Sequence, residues 1–472
     1  MLPGLPPWPR PAALPALCLL SACALQSYEP ATLDPDAEAA AYLARSTDDP
    51  ELRAYMLAHG HPAADWPVQR WGLSELTLLA FYYHPDLRVA RAQAAEARAQ
   101  VPVAAQRLPW LAIPRVEHHS SEAQDSDSPW GLGFEVVVPV GGGASGEALV
   151  QRATYLAEVA ELEVGGTAWR VRSRLRAALA DLHAARERSA LLEQDIEARS
   201  ALVGLLEKRL QAGYVGANEA AAARLRLHEA QGELSAARTA AERAQGGLAA
   251  ALGVPLPLVR EAPLDFAQLD ALPAPPEEGE ARSRALRNRI DMRQRLLEFA
   301  AADAGVKLEV ARQYPAVALN PGYLWDQGDS VWSLALDLVL PPALGNAPAI
   351  EAARARRETA AQLALQGQSQ IIAQTDAALA TYRQSLAGAT AMQQASATQH
   401  ARSQQTQKRF DAGYADRVEL TQARLEAFTV ERNAQSARVE ARRALGSLED
   451  AVQRPLAGGP LPAAPAPQEP QR

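Results

Sequence analysis

The phrase Lys208-Arg209-Leu210-Gln211-Ala212-Gly213-Tyr214 returns 200 positions later as Lys408-Arg409-Phe410-Asp411-Ala412-Gly413-Tyr414. Each copy lies inside a long proline-free stretch, the first between Pro139 and Pro255 and the second between Pro348 and Pro455. A helix interior tolerates proline poorly, and glycine readily takes the positive-φ conformation that ends a helix. Each stretch therefore reads as helix, turn, helix: about 144–211 and 217–252, then about 347–411 and 417–452. At 1.5 Å per residue the first helix of each pair would be roughly 100 Å long, longer than any ordinary domain is wide.

The returning helices carry an apolar seam. Ala220, Ala223, Leu227, Ala230, Leu234, Ala237, Ala241, Ala244 and Leu248 alternate spacings of three and four, and Leu420, Ala423, Ala427, Val430, Ala434, Ala437, Ala441, Ala444 and Leu448 occupy the same places in the second copy. A sustained period of 3.5 specifies coiled-coil packing, and alanine lets helix axes approach closely. Aromatic residues make up only 5% of the chain, which fits long packed helices better than a bulky core.

Ahead of each long helix the period changes to two. Trp130, Leu132, Phe134, Val136 and Val138 share one face of a strand, opposed by Gly131, Gly133, Glu135 and Val137. Trp332, Leu334, Leu336, Leu338 and Leu340 do the same against Ser333, Ala335, Asp337 and Val339. A wholly apolar face opposite a small or polar one, with an aromatic at its end, is the signature of a strand in a membrane barrel. Each has a predecessor across a turn-rich stretch, giving strands at about 108–120, 130–139, 315–325 and 331–341. Four strands cannot close a barrel in lipid, where an open edge leaves backbone groups unpaired. Three copies of the chain would supply twelve.

One further helical stretch precedes each strand pair, beginning near Leu76 and Ala285, so each half reads helix, strand, strand, long helix, tip, helix. The expected organisation is a leader at 1–22, an N-terminal segment at 23–72, a first repeat at 73–258, a Pro-rich linker at 259–277, a second repeat at 278–453 and a disordered tail at 454–472. The leader carries an apolar stretch too short to span a bilayer, and ends Leu20-Ser21-Ala22-Cys23. That ending resembles a bacterial lipobox, which would make Cys23 the first mature residue and carry acyl chains, with Ala24 fitting export to the outer membrane. Cys18 is the only other cysteine, so no disulfide is expected in the mature chain.

Together these features resemble the TolC-type outer-membrane efflux proteins, particularly the lipidated members. The resemblance rests on the lipobox, on His84-Pro85-Asp86-Leu87 leading to Arg107-Leu108-Pro109, on the strand-ending Pro139 and Pro341, and on the two repeated phrases with their following helices. It implies a mainly helical fold, internally duplicated, in which coiled-coil hairpins form an α-barrel and four strands per chain enter a trimeric 12-stranded β-barrel. It also implies a homotrimer in the outer membrane and periplasm, working with a periplasmic adaptor and an inner-membrane transporter. Lys208, Arg209, Gly213, Tyr214, Lys408, Arg409, Gly413 and Tyr414 would then be adaptor-docking tip residues. Glu419, six positions beyond the second tip glycine, and its counterpart Glu219 would narrow the tunnel, biasing it toward cations. Phe410 and Ala415 stand where the family can place a locking tyrosine and arginine; Asp416 and Arg417 read either as their replacement or as a solvated turn.

The formal net charge of −8 gives no basic field for nucleic acid. No phosphate loop, nucleophile elbow or compact acid–base constellation is present, so neither an enzyme nor a cofactor is expected. His59 with His61, and His118 with His119, lack the spacing of a zinc site, and no metal site is expected there. The rival reading is a periplasmic coiled-coil adaptor or scaffold lipoprotein, which would be built on one hairpin and compact β domains rather than two hairpins and membrane-type strands.

Overall fold

The computed structural model describes residues 28–106, 109–119, 128–140, 143–339 and 346–456. The leader, Cys23, Pro341 and the tail beyond residue 456 lie outside the described residues. Residues up to Arg45 form one unit and those from Ser46 onward another. The first holds α1 (Pro35–Leu43), whose N-terminus is capped by the Asp34 carboxylate accepting from the Asp36 N–H at 3.0 Å.

The second unit runs α2 (Pro50–Ala58), α3 (Leu73–Tyr83), α4 (Pro85–Ala105), β1 (Leu111–His118), β2 (Trp130–Pro139), α5 (Gly143–Gln211) and α6 (Ala217–Leu252). Short helix α7 (Leu256–Glu261) crosses from the first repeat into the linker, and α8 (Ala267–Asp270) lies within it. The second repeat follows with α9 (Glu278–Asn288), α10 (Ile290–Ala311), β3 (Ala316–Asp326), β4 (Asp329–Val339), α11 (Ala347–Asp411) and α12 (Arg417–Val452). At 69 residues, α5 is about 100 Å long.

The helical stretch ahead of each strand pair is two helices rather than one. Pro85 cannot donate into the preceding turn, and His84 turns extended and accepts the Asp86 N–H through Nδ1 at 3.1 Å, capping α4. Arg289 breaks the second stretch in the same place without a proline, its extended backbone followed by an Ile290 N–H that donates to Gln453 Oε1 at 2.7 Å.

The long helices act as spines. Residues 161–174 of α5 meet α4 and α10, through Arg98–Glu161, Arg174–Asp86 at 2.5 Å and Gln294–Glu163 at 2.8 Å. From about residue 169 to its end the same helix meets α6 and α12, through Arg188–Glu233 at 3.1 Å, Arg238–Glu193 at 2.8 Å and Arg443–Asp181 at 3.1 Å. Every seam position of α6 and α12 is buried or half-buried.

Two cores fill the repeats in equivalent places. Leu76, Leu79, Leu175, Leu179, Leu182, Leu248 and Leu252 join α3, α5 and α6, while Ala281, Ala285, Leu379, Tyr382, Leu445 and Leu448 join α9, α11 and α12. Leucine dominates the first, and in the second leucines and alanines surround Tyr382, whose hydroxyl donates to the Pro273 carbonyl at 2.6 Å. Leu456, in the expected tail, packs on this second core, and its N–H donates to Glu449 Oε1 at 2.8 Å.

Candidate functional site

Both hairpin tips end their first helix with the same pair of crossed backbone bonds. Gly213 N–H donates to Leu210 O at 3.0 Å and Tyr214 N–H to Arg209 O at 2.8 Å; Gly413 and Tyr414 repeat this onto Phe410 O and Arg409 O at 2.9 and 2.8 Å. This cap requires one left-handed residue, supplied by Gly213 at φ +77° and Gly413 at φ +76°. A Cβ at either would meet nothing within 4 Å, so backbone conformation alone accounts for the glycines. The tyrosines that follow are not needed for the turn, and both project into solvent, 82% and 80% exposed. Lys208 and Lys408 are exposed beside them.

The two tip arginines, alike in sequence, have different partners. Arg409 stays on its own hairpin, donating to Glu419 Oε1 at 2.8 Å and to the Tyr414 carbonyl at 3.3 Å. Arg209 instead crosses to the other hairpin and donates to Asp416 Oδ2 at 3.0 Å. The cause is the N-cap of the returning helix. Asp416 caps α12, its Oδ1 accepting from Val418 N–H at 2.7 Å and Glu419 N–H at 2.9 Å, whereas Gly216 stands at the head of α6 with no side chain to offer. The Glu419 backbone N–H, with the Arg209 guanidinium, holds the Asp416 carboxyl below the usual carboxylate range. Asp416 is thus a cap and a cross-hairpin partner rather than only a solvated turn residue. Glu219 is exposed and has no ion-pair partner among the described residues, while Glu419 is compensated. The sequence signal for this asymmetry was the change from Gly216 to Asp416 at matching positions.

At the other end the four strands form one antiparallel sheet in the order β1-β2-β3-β4, so the two repeats join through β2 and β3. Register sorts the side chains. Leu132 faces Val116 and Trp325, Phe134 faces Tyr323, and Leu334, Leu336 and Leu338 of β4 lie opposite Pro321, Leu319 and Val317. That face is apolar and stands in the open: Trp332 is 78% and Leu334 74% exposed. The opposite face carries Arg115, Glu117, Glu135, Asn320 and Asp337, with Arg115 3.7 Å from Glu135 and the Asn320 amide donating to Asp337 at 2.6 Å. His118 edges onto Trp130 at 4.6 Å and Tyr323 packs on Trp332 at 4.7 Å, gathering aromatic rings at the turn end of the apolar face. Neither β1 nor β4 has a second neighbour among the described residues. No described helix is long and apolar enough to cross a membrane.

Of the histidines weighed as metal ligands, His59 bonds the Tyr55 carbonyl at 2.7 Å through Nδ1 and His119 lies 2.8 Å from Asp326, while His61 Nε2 is buried without a hydrogen-bond partner among the described residues. A different cluster, His183, Glu187 and Asp270, was missed; its first two members are spaced i,i+4 on α5, but Asp270 comes from the linker.

No protein-family model matches the sequence, and no curated protein does either. Solved structures do. The outer-membrane channel OprN superposes with a TM-score of 0.64 at 21% identity, over 80% of this chain and 89% of its own. The outer membrane protein VceC of Vibrio cholerae gives 0.64 at 18%, over 80% and 95%. The MtrE outer-membrane channel of Neisseria gonorrhoeae in its open state gives 0.61 at 18%, over 80% and 88%. The duplicated hairpins, the paired tips and the four-stranded sheet with one apolar face are the fold of the TolC-type outer-membrane channels.

Proposed function

We propose that this protein is the outer-membrane exit duct of a tripartite efflux or secretion system. Three copies pool their strands into a 12-stranded barrel and their hairpins into a tunnel, which conducts substrates passively from the periplasm to the exterior. An inner-membrane transporter supplies the energy, and a periplasmic adaptor docks at the tips around Lys208, Arg209, Tyr214, Lys408, Arg409 and Tyr414. Cys23 carries a lipid anchor.

The observation that carries this reading is the sheet: an exposed apolar face backed by a charged one, with two edges that have no further neighbour among the described residues, at the end of helices about 100 Å long. In water that face has nothing to cover it, and in lipid the edges must pair with other copies. The likeness to outer-membrane channels supports the same reading. At the tips, the free Glu219 of each copy sets a cation bias, while Arg409 mutes Glu419 and the Arg209–Asp416 pair ties the hairpins together.

Membrane fractionation followed by electrophoresis with and without heating tests the proposal. A heat-modifiable trimer in the outer membrane that forms channels in planar bilayers is expected. Recovery as a soluble monomer would end it.

A further inference from the structure

His183, Glu187 and Asp270 converge where α5, the inter-repeat linker and α12 meet. His183 Nε2 lies 3.3 Å from Asp270 Oδ1 and 3.5 Å from Glu187 Oε1, and the three ligand atoms all fall within 4.8 Å of one another. The two His183 separations are those expected of neighbouring ligands around one ion bound at about 2.0–2.2 Å, and the two carboxylates would close on the ion from within 4.8 Å of each other. We propose that these three side chains form a Zn²⁺ site, independent of the duct reading.

The surroundings prepare the donors. The His183 ring is stacked on Phe266, centroids 4.6 Å apart and 7° between planes, which fixes the direction of Nε2. Its position one turn before Glu187 puts both on the same face of α5. Arg442 from α12 donates to Glu187 Oε2 at 3.1 Å and also to Asp270 Oδ1, the same oxygen that faces His183, which would keep its remaining lone pair for the ion. It thereby holds the Glu187 carboxylate with Oε1 turned to His183, as hydrogen-bonding partners commonly orient metal-bound carboxylates. With a neutral imidazole, two carboxylates and one guanidinium leave a net negative charge for a divalent ion to balance. One imidazole nitrogen and two carboxylate oxygens suit Zn²⁺ rather than Cu⁺ or Ca²⁺. The Asp270 side chain is 54% exposed, so the ion has a path in and room for water as its fourth ligand. A bound ion would pin the linker to α5 beside the residue that joins both to α12.

The test is isothermal titration of ZnCl₂ into the untagged, detergent-solubilised full chain, together with His183→Gln, Asp270→Asn and the control His59→Gln. One ion per chain is expected, with affinity falling at least tenfold in the first two variants and unchanged in the control. Co²⁺ should give a visible d–d band that is lost in His183→Gln. Asp270 is largely exposed, so Asp270→Asn keeps the test informative if His183→Gln folds poorly. Absence of saturable Zn²⁺ binding, or binding that neither site variant weakens, would overturn the proposal.

Discussion

Removing the Asp416 carboxylate separates two roles that the structure assigns to one residue. As the N-cap of α12 it accepts from two backbone N–H groups, an arrangement worth about 1 kcal/mol. As the partner of Arg209 it forms an ion pair whose side chains are 39% and 56% exposed, so solvent screening limits it to roughly 0.2–1 kcal/mol. Asp416→Asn keeps an amide oxygen for the cap and loses only the pair; Asp416→Ala loses both, about 1–2 kcal/mol, or a 5- to 30-fold rise in opening of the first turn. Hydrogen exchange at the Val418 and Glu419 amides reads this directly. At low salt protection should fall in the order wild type, Asn, Ala. At about 1 M salt, where the Debye length shrinks to about 3 Å, Asn should rejoin wild type while Ala stays low. The folded Asp416 carboxyl is held below its ordinary value, so its contribution is complete above the unfolded value of about 3.9 and is lost as pH falls through the lower, folded one. Equal loss of protection in Asn and Ala at every salt concentration would refute the assignment of a cap.

Gly446→Ala should destabilise the protein although alanine favours helix, because its Cβ would land on the Arg176 guanidinium. Arg176 pairs with the buried Glu449 at 3.2 Å, and outright loss of one partner of such a pair costs about 3–5 kcal/mol, an upper bound for its displacement; thermal unfolding should show a larger loss than Gly232→Ala, another mid-helix glycine, whose Cβ meets nothing. Leu336→Arg puts a charge in the middle of the apolar sheet face and should impair insertion into lipid vesicles by about 2–4 kcal/mol. Ala335→Arg, on the opposite face of the same strand, should insert normally; equal failure of both would count against that face meeting lipid. In planar bilayers Glu219→Gln should reduce cation preference more than Glu419→Gln, whose carboxylate already faces Arg409, and equal effects would remove the distinction between them.

Features encoded by a short period were legible without the fold. The 3.5-residue seam from Ala220 to Leu248 and from Leu420 to Leu448, and the two-residue alternation of Trp130 to Val138, each state which side of an element must be covered. The left-handed Gly213 and Gly413 follow equally locally, since only the adjoining backbone decides their φ. Sequence alone also announced the duplication, because the phrase recurs with its flanking helices.

Pairing across the duplication was a different matter. Nothing within "KRLQAGY" and "KRFDAGY" separates Arg209 from Arg409; the distinction arises because Asp416 is brought beside the first tip and Gly216 offers the second no acceptor. The break at Arg289 has no proline to mark it and depends on Gln453 arriving from the end of the chain. His183 and Glu187 could be matched on one helix, but Asp270 and Arg442 join them only after the linker and α12 have packed. Periodicity fixes which face of a helix or strand is buried. Which charged side chain meets which depends on the lateral placement and rotation of packed helices, and those are decided by contacts between residues hundreds of positions apart.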